Sequence, residues 1–528
     1  MAFDITLWLA AAAPIFALLL LLLRCRWGGD EAAVVALLIS IFAAYCVFGG
    51  SLAMIALAVA KGMWSALSII FVIFPALLMY EVSKTAGAFQ TIRAGMQNFT
   101  PDKVLQVIAV GWVFVDFLQG ITGFGVPVVV CAPLLVSMGV RPLQAVVITL
   151  LGQAWGNTFG TLGLAWEGLA SQVDFSDVGQ LQATLLWTGN LLIFVNFATG
   201  MAITLLAGGK AGLRRNFPLV LFLGVLQGLG QASLAFVNPA LCNFVVAACS
   251  MGIIFVVGRL PCYRKPAALY NSLPMEADSG PVVLNHMNMV KAFMPYLFLV
   301  ATAGIILLNA SLKNFLGQWT MALSFSGMVT KLGFSVSAYK AYAPLVPLLH
   351  SGAFLLLTAG TGYLFYRQWG DIPADRLQCI VKNSLDKTIP SAVAVIGLIA
   401  MSKVMEDTGQ TVVLAQGAAL LTGKFYPFLS PFIGLLGTFM TASNLSSNIL
   451  FGGFQQQVAL MLGLEKAPLL AAQTVGGAVG SILSPSKILL GTTAVGILGQ
   501  EGAVMRKVIG IALFLCAVLG FVVLLSYE

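Results

Sequence analysis

The chain has 528 residues, of which 59% are hydrophobic and only 9% are charged. Soluble domains carry about 25% charged residues, so this composition excludes a soluble globular protein. The net charge of +8 comes from Lys and Arg in short segments between apolar runs. That is the positive-inside pattern of membrane proteins, and it gives no indication of a nucleic-acid partner.

Apolar runs of about eighteen or more residues recur along the chain and predict an all-α polytopic membrane protein with about twelve transmembrane helices. The first run has an acid and no basic residue before it and lacks a clear small-residue cleavage site. We therefore interpret it as a retained span rather than a secretory signal. The predicted spans are 5–23, 32–48, 63–82, 142–158, 183–206, 217–235, 240–258, 291–309, 343–366, 388–405, 467–483 and 508–526.

Two further apolar regions, 104–138 and 426–461, are interrupted in the middle by Gly, Ser, Thr, Asn and Pro. Each arm has about fifteen residues and reaches roughly 20 Å at 1.5 Å per residue, which is short for a full span. These regions are predicted to be re-entrant hairpins.

Basic residues set the predicted orientation. Arg24 and Arg26 place the first loop in the cytoplasm and the N-terminus outside. The acidic loop with Glu167, Asp174 and Asp177 then falls outside and the other basic loops fall inside, provided that each hairpin returns to the side from which it enters. Both termini are therefore predicted to be periplasmic.

An internal repeat relates the two hairpins. The segment that starts at Phe117 and the segment that starts at Thr441 superpose at a shift of 324 residues. We predict one integral membrane domain over 1–528, with repeat 1 at about 32–206 and an oppositely oriented repeat 2 at about 343–526. The shift superposes three glycine pairs, Gly139 on Gly463, Gly152 on Gly476 and Gly156 on Gly480. Interrupted segments at corresponding positions of inverted halves indicate the binding site of a secondary transporter.

Uncharged hydrogen-bonding residues cluster at both hairpin tips. Backbone that leaves a helix at membrane depth needs polar partners, and helix N-termini attract anions. We therefore predict that the tips bind a small organic anion, with Gln153 and Asn157 on the following glycine-rich helix as further contacts. The candidates at the tips are Gln119, Thr122, Gly123, Ser443, Asn444, Ser446, Ser447 and Asn448. Gln473 and Ser484 are the counterparts of Gln153 and Asn157 in the second half.

Other polar residues receive a structural interpretation. Lys487, predicted near the cytoplasmic edge, is interpreted as an ordinary positive-inside lysine, with attraction of anions as the alternative. Arg141 is interpreted as a topology anchor and His350 as a hydrogen-bonded buried histidine. The chain holds two histidines and eight cysteines without a CxxC pair. It also lacks a nucleotide-binding loop and the GxSxG and HExxH motifs, so we predict no metal site, no cofactor and no enzyme activity.

The stretches GITGFGVPVVV, FMTASNLSSNILFGGFQ and GSILSPSKILLGTTAVGILGQEG resemble the lactate permease family, and the resemblance covers nearly the whole chain. It implies a multi-pass protein of the bacterial inner membrane that carries lactate or glycolate by proton symport. It also implies inverted repeats, re-entrant hairpins and an elevator-type mechanism.

The chain departs from the family pattern at three places. Gln119 stands where the family's first hairpin has an acid, and Asn444 stands where its second motif has one. Residues 153–157, with the bulky Trp155, replace the family's N-T-A-P stretch. Asp116 lies one helical turn before Gln119 and is the only acid in either hairpin arm, so we predict it as the proton-coupling group.

The predicted function is secondary active transport of a 2-hydroxy monocarboxylate by proton symport. The amides in place of acids leave open Na⁺ coupling and a different organic anion, because neutral oxygens also bind Na⁺. A passive channel is a further alternative. The expected partners are the organic anion and membrane lipids, and homodimer formation is left open.

Overall fold

The computed structural model describes residues 4–25, 27–123, 125–175, 177–265, 269 and 287–527. Arg26, Phe124 of the GITGFGVPVVV stretch, and His286, one of the two histidines, lie outside the described residues. The described chain is mostly helical. Eleven of its helical stretches are long and apolar enough to cross a membrane.

The helices are given in chain order, in two halves. The first half contains α1 (Ile5–Leu23), α2 (Gly29–Cys46), α3 (Leu52–Thr85), α4 (Ala88–Asn98), α5 (Lys103–Ile108), α6 (Val115–Ile121), α7 (Val126–Ser137), α8 (Pro142–Gly152), α9 (Gly160–Ala170), α10 (Val178–Ala235) and α11 (Pro239–Val257). The second half contains α12 (Met289–Leu308), α13 (Ala310–Gly317), α14 (Ser351–Gln368), α15 (Leu377–Asp407), α16 (Gln410–Thr422), α17 (Tyr426–Thr441), α18 (Asn444–Leu462), α19 (Lys466–Gly480), α20 (Pro485–Ala494) and α21 (Glu501–Leu525).

Four short strands between α13 and α14 correct the all-α prediction. They are β1 (Met321–Phe325), β2 (Met328–Val329), β3 (Ser335–Val336) and β4 (Tyr339–Leu345). β1 pairs with β4 and β2 with β3, both antiparallel. The predicted span 343–366 is accordingly too long at its start, because its first residues belong to β4. Its helix begins only at Ser351, with His350 as N-cap.

One predicted span is wrong in its continuity. The span 142–158 is broken, because α8 ends at Gly152 and regular helix resumes only after Gly163, near the start of the segment labelled α9. The spans 183–206 and 217–235 are confirmed as two separate helical segments, because the chain labelled α10 is kinked between them at Gly209 (φ 62°, ψ −165°). Only glycine adopts that backbone conformation without a steric penalty, so the sequence places its one break where a side chain is missing.

Both predicted hairpins contain two helical arms joined by a short break. A π-helical segment, Ala109–Phe114, joins α5 to α6, and α7 follows after residues 122–125. In the second hairpin α17 ends at Thr441 and α18 begins at Asn444, so the break is two residues long. Asp102 caps the start of α5, where its carboxylate accepts a hydrogen bond from the Leu105 amide and pairs with Arg215.

Long helices form the remaining core. α3 and α15 pack along each other and against α2 and α14. Gly62 permits this contact, because a Cβ there would lie 2.5 Å from the Ala400 Cα atom. The buried Lys61 Nζ atom pairs with the Asp407 carboxylate at 2.9 Å and so joins the two long helices. Large apolar side chains on α1, α2 and α21, such as Phe16, Phe42 and Phe514, remain exposed, as expected of a surface that faces lipid.

Candidate anion-binding site

Four interruptions of the helices meet near one point. Two are the hairpin breaks, at residues 122–125 and 442–443. The third is the non-helical stretch 153–159 between α8 and α9, and the fourth is the 3₁₀ turn Ser481–Leu483 with Ser484 between α19 and α20. Interrupted backbone at membrane depth is tolerated where it is buried in protein or lines a cavity.

A small cavity of about 50 Å³, called the central cavity, lies among these interruptions. Four predicted site residues line it together, although the sequence distributes them over three separate segments. They are Gln119 from the first hairpin, Asn157 from the stretch between α8 and α9, and Ser443 and Asn444 from the second hairpin. The other lining residues are Gly160, Thr161, Leu164, Ala165, Ala442, Leu445 and Lys487.

The amide side chains of the central cavity leave hydrogen-bonding capacity unused. Gln119 Nε2 donates to Asn157 Oδ1 over 3.2 Å, and Asn444 Nδ2 donates to the Thr474 carbonyl over 3.1 Å. The atoms Gln119 Oε1, Asn157 Nδ2 and Asn444 Oδ1 are buried and have no partner among the described residues. Buried polar atoms are nearly always satisfied, so two acceptors and a donor without partners indicate a ligand or ordered water in this cavity.

Lys487 supplies the positive charge of the central cavity. It stands in the first turn of α20, is only 5% exposed, and forms no ion pair with any described residue. A buried cation without a counter-charge is costly, which makes an anion its natural partner. The burial of Lys487 does not fit an ordinary positive-inside lysine and favours the alternative that it attracts anions. The sequence carried one usable signal, because S-P-S-K begins a new helix just after the glycine-rich α19.

Helix N-termini add partial positive charge. α18 begins at Asn444, and its N-cap Ser443 accepts a hydrogen bond from the Ser446 amide over 3.3 Å. α20 begins next to its N-cap Ser484, which accepts from the Lys487 amide over 3.4 Å. The free N–H groups and dipole of a helix N-terminus attract negative charge. Both helices begin at segments that supply lining residues of the central cavity.

The backbone around the central cavity is strained. Non-glycine residues with positive φ are uncommon, and Thr161 (51°), Leu162 (51°) and Ala442 (59°) all adopt it. Thr161 and Ala442 line the cavity, and Leu162 lies between the lining residue Thr161 and Gly163. Such conformations cost on the order of 1–3 kcal/mol each and are retained where the surrounding fold imposes them, often at functional sites.

The remaining candidates from the sequence lie close to the central cavity but do not line it. Thr122 Oγ1 donates to the Leu118 carbonyl on its own helix, and Gly123 faces Thr161, whose Oγ1 atom would lie 2.1 Å from a Cβ there. Ser446 supplies its amide to the Ser443 cap. Ser447 Oγ donates to the Gly434 carbonyl and accepts from Gln473 Nε2. These placements favour structural roles for the side chains of Thr122 and Ser447.

Asn448 and Gln153 are buried in different surroundings. Asn448 Nδ2 donates to the Ala165 carbonyl and to Thr474 Oγ1, both over 2.8 Å, and so connects α18 with α9 and α19. Gln153 is fully buried, and neither polar atom of its amide has a partner among the described residues.

Three further residues from the sequence analysis lie outside the lining of the central cavity. Ser484 caps α20, and Arg141 is exposed at the start of α8. The His350 ring contacts Ser68 Oγ at 3.0 Å.

Asp116 is fully buried in α6, one turn before Gln119. The Asn243 side chain faces its carboxyl group, but neither carboxyl oxygen has a hydrogen-bond partner of regular geometry among the described residues. Gly156 makes room for this carboxyl group, because a Cβ at that position would lie 1.8 Å from Asp116 Oδ1. Asp116 therefore contacts the 153–159 stretch, beside the central cavity and not in its lining. Among the described residues no group of three or more His, Cys, Asp and Glu side chains is placed to hold a metal ion.

Comparison with known proteins gives a consistent result. The sequence profile of the L-lactate permease family matches residues 8–528. The L-lactate permease of Halalkalibacterium halodurans is 28% identical, and the alignment covers 94% of this chain and 92% of that protein. The glycolate permease GlcA of Escherichia coli K12 is 27% identical over 98% of this chain and 95% of that protein.

One solved structure, that of the YdaH transporter of Alcanivorax borkumensis, is similar at a TM-score of 0.42 and 12% sequence identity. The superposition covers 87% of this chain and 85% of that chain. At this level of similarity we draw no conclusion from it.

Proposed function

Because the chain belongs to the L-lactate permease family, we propose that it carries a small 2-hydroxy monocarboxylate, lactate or glycolate, across the plasma membrane by proton symport. The family consists of permeases, so the chain is a multi-pass membrane transporter of the plasma membrane and not an enzyme. The substrate, the coupling ion and the mechanism are proposals for this chain.

The observation that carries the proposal is the chemistry of the central cavity. Lys487 offers a buried positive charge for a carboxylate. The unpartnered Asn157 Nδ2 donor and the unpartnered Gln119 Oε1 and Asn444 Oδ1 acceptors suit a group that both accepts and donates hydrogen bonds. A hydroxyl is such a group, whereas a keto oxygen only accepts. The cavity thus supports a 2-hydroxy acid better than a 2-keto acid.

Its size also favours a small substrate. A cavity needs roughly 10–15 Å³ to hold one water molecule, so a cavity of about 50 Å³ accommodates about three to five water-sized groups. Glycolate has five non-hydrogen atoms and lactate six, so these anions are close to the size of the cavity. Larger hydroxy acids and dicarboxylates need more room than this conformation offers, and a second carboxylate would have no cationic partner besides Lys487.

We propose that the chain works as an elevator built from two inverted repeats. The helix bounds support the repeat. When 324 is added to the residue numbers of Leu52 and Thr85, the ends of α3, the result is 376 and 409, close to α15 at Leu377–Asp407. In the same way α9 shifts to 484–494, where α20 spans Pro485–Ala494. Each half thus has a hairpin followed by a broken helix. The positive-inside distribution gives these halves opposite orientations.

Asp116 is the proposed proton carrier. It is an acid buried in a hairpin arm, and it contacts the same broken segment that supplies Asn157 to the central cavity. Na⁺ coupling is the alternative, and the free amide oxygens of Gln119 and Asn444 are its support. The position of Lys487 argues against Na⁺ coupling, because this lysine would repel a second cation in so small a cavity. A passive channel would show flux without accumulation.

Counterflow in proteoliposomes tests the proposed substrate. We expect labelled lactate to enter vesicles preloaded with lactate or glycolate, and to enter much less with pyruvate or a dicarboxylate inside. Uptake driven by a pH gradient should continue in Na⁺-free buffer. Equal exchange with pyruvate would contradict the proposed contact with the substrate hydroxyl. A strict requirement for Na⁺ would contradict proton coupling and favour Na⁺ coupling.

A further inference from the structure

A second cavity of about 430 Å³, called the outer cavity, lies between α9, α3 and the segment that connects β4 to α14. The polar residues and the tryptophan that line it are Trp64, Ser65, Ser68, Glu167, Ser171 and His350. Glu167 and His350 are its two titratable lining residues. Ala343, the fourth non-glycine residue with positive φ (41°) among those described, also lines it. The charge distribution places this cavity on the outer side of the membrane.

α9 connects the outer cavity to the central cavity. Thr161 and Leu164 of this helix line the central cavity, whereas Glu167 and Ala170 line the outer one. Thr161 lies in the left-handed turn at the start of α9, and regular helix connects Leu164 to Glu167 over three residues, or roughly 4.5 Å at 1.5 Å per residue. Any displacement of α9 that moves Glu167 therefore also moves part of the lining of the central cavity.

The hydrogen bonds of His350 determine which ring nitrogen carries the hydrogen. Its Nδ1 atom accepts a hydrogen bond from the Gly352 amide over 3.3 Å, as the N-cap of α14, so Nδ1 carries no hydrogen. The neutral ring then holds its hydrogen on Nε2, which lies 3.0 Å from Ser68 Oγ and 3.9 Å from Glu167 Oε2. A second proton on this ring would break the cap and would face the positive end of a helix dipole. Any change of charge in this pair therefore occurs on Glu167.

We propose that Glu167 is a proton-binding site of the transport cycle, loaded from the outer side and held by His350 when it is ionised; this inference rests on the proposed proton symport. The ionised carboxylate lies 3.9 Å from His350 Nε2, so a charge–dipole attraction, and not a hydrogen bond, links α9 to the start of α14. When water in the outer cavity gives one proton to the carboxylate, the group becomes neutral and this attraction is lost. Protonation from outside thus frees α9 to move with the central cavity.

Few other polar contacts join the C-terminal end of α9 to α3, α14 and α15, so the Glu167–His350 contact is effective in holding α9 in place. Among the described residues, Ser402 Oγ on α15 donates to Gln172 Oε1 just after α9, over 2.9 Å. Glu167 Oε2 itself is buried and has no hydrogen-bond partner of regular geometry. The other titratable side chains on elements that pack against α9 or line the outer cavity are not themselves among its lining residues: Cys242, Cys249, Asp116, Lys466, Lys61, Tyr80, Glu81, Lys84, Tyr339 and Lys340, with Tyr342 reaching the rim through Ser65.

Two measurements on Glu167→Gln test the inference, with Glu465→Gln as the matched control at an exposed position in the loop between α18 and α19. The first is the pH-difference infrared spectrum of the purified protein over about pH 6–9, where an unperturbed carboxyl group is already ionised. We expect a protonated-carboxyl band that Glu167→Gln removes and Glu465→Gln leaves in place. His350→Asn keeps a capping acceptor but loses the Nε2–H donor, so it should move the midpoint of this band to higher pH.

The second measurement is transport in proteoliposomes. Glu167→Gln should exchange substrate at the rate of the parent and lose at least tenfold in accumulation driven by an outside-acid gradient. The inference is overturned if no carboxyl band is lost in Glu167→Gln, or if that variant keeps the parent's accumulation and pH profile. If the parent itself moves neither lactate nor glycolate, the proposed function fails, while the infrared spectra still decide whether Glu167 binds the proton.

Discussion

Gln119 donates a hydrogen bond from Nε2 to Asn157 Oδ1 over 3.2 Å and thereby joins the tip of the first hairpin to the broken segment between α8 and α9. The resemblance to the lactate permease family implies an acid at the position of Gln119. An acid there could not donate this bond unless it were protonated. The amide at Gln119 therefore changes how the two segments are joined and leaves Oε1 free toward the central cavity.

The Gln119–Asn157 pair predicts a measurable preference for hydroxy acids. Asn157→Leu removes the unpartnered donor together with the acceptor of the Gln119 bond and should weaken lactate exchange by about two- to tenfold, because a lost hydrogen bond to a neutral hydroxyl costs roughly 0.5–1.5 kcal/mol. The preference for lactate over pyruvate should shrink in parallel. Gln153→Leu, at a buried amide outside the cavity lining, is the matched control. If both variants keep the parent's preference, Asn157 does not contact the hydroxyl group.

Lys487 should determine the affinity for the anion. Lys487→Gln removes the only cationic group among the lining residues of the central cavity and should raise the concentration for half-maximal exchange by at least about tenfold, again from roughly 1.5–3 kcal/mol per charge-assisted bond. Lys424→Gln, at an exposed position before α17, should leave it unchanged. Equal half-saturation values for parent and Lys487→Gln would remove this residue from the site.

Asp116 should be required for accumulation and dispensable for exchange. An asparagine has the same shape and cannot carry a proton, so Asp116→Asn should abolish accumulation under a pH gradient. Substrate-for-substrate exchange requires no net proton movement and should persist. Gln119→Glu in that background places an acid one turn away and should partly restore accumulation. Undiminished accumulation in Asp116→Asn would shift the proton role away from this residue and give weight to Na⁺ coupling.

The proposed inverted topology predicts opposite accessibility for two exposed positions. In a cysteine-free background, Arg141→Cys after the first hairpin should react with an impermeant reagent only from the cytoplasmic side. Lys424→Cys before the second hairpin should react only from outside. Both residues are exposed, unlike the buried tip residues Thr122 and Ser446, so their labelling does not depend on the transport state. Reaction of both from the same side would exclude inverted repeats.

Glycines at helix contacts should limit stability. A Cβ at Gly476 of α19 would lie 2.0 Å from the Pro431 carbonyl of α17, so Gly476→Ala must force these helices apart. Overpacking typically costs about 1–3 kcal/mol, and we expect a lower temperature of unfolding in detergent. Gly510→Ala on α21, where no atom lies within 4 Å of the added Cβ, should raise that temperature slightly, because alanine favours helix by up to about 1 kcal/mol. The same temperature for the two variants would contradict this packing.

The sequence by itself determined the class of protein, most helices and the two interrupted hairpins. These features are local: membrane burial needs long apolar runs, and a break at membrane depth needs glycine or small polar residues. The amino-acid sequence also indicated Gln119, Asn157, Ser443 and Asn444 as candidate site residues, because polar groups in apolar segments are uncommon. Proton coupling, inverted orientation and the substrate remain predictions.

Only the tertiary structure decided which of these polar groups share a cavity. Lys487 and Gln119 are far apart in the sequence, and the repeat shift places Lys487 opposite Gly163, which has no side chain. No local pattern shows that the lysine lines the same cavity as the two hairpin tips, because that proximity arises when four separate helix breaks pack together. The meeting of Glu167 with His350 has the same origin, since a residue on α9 and the N-cap of α14 are brought together only by the packing of α9, α3 and the β4–α14 segment.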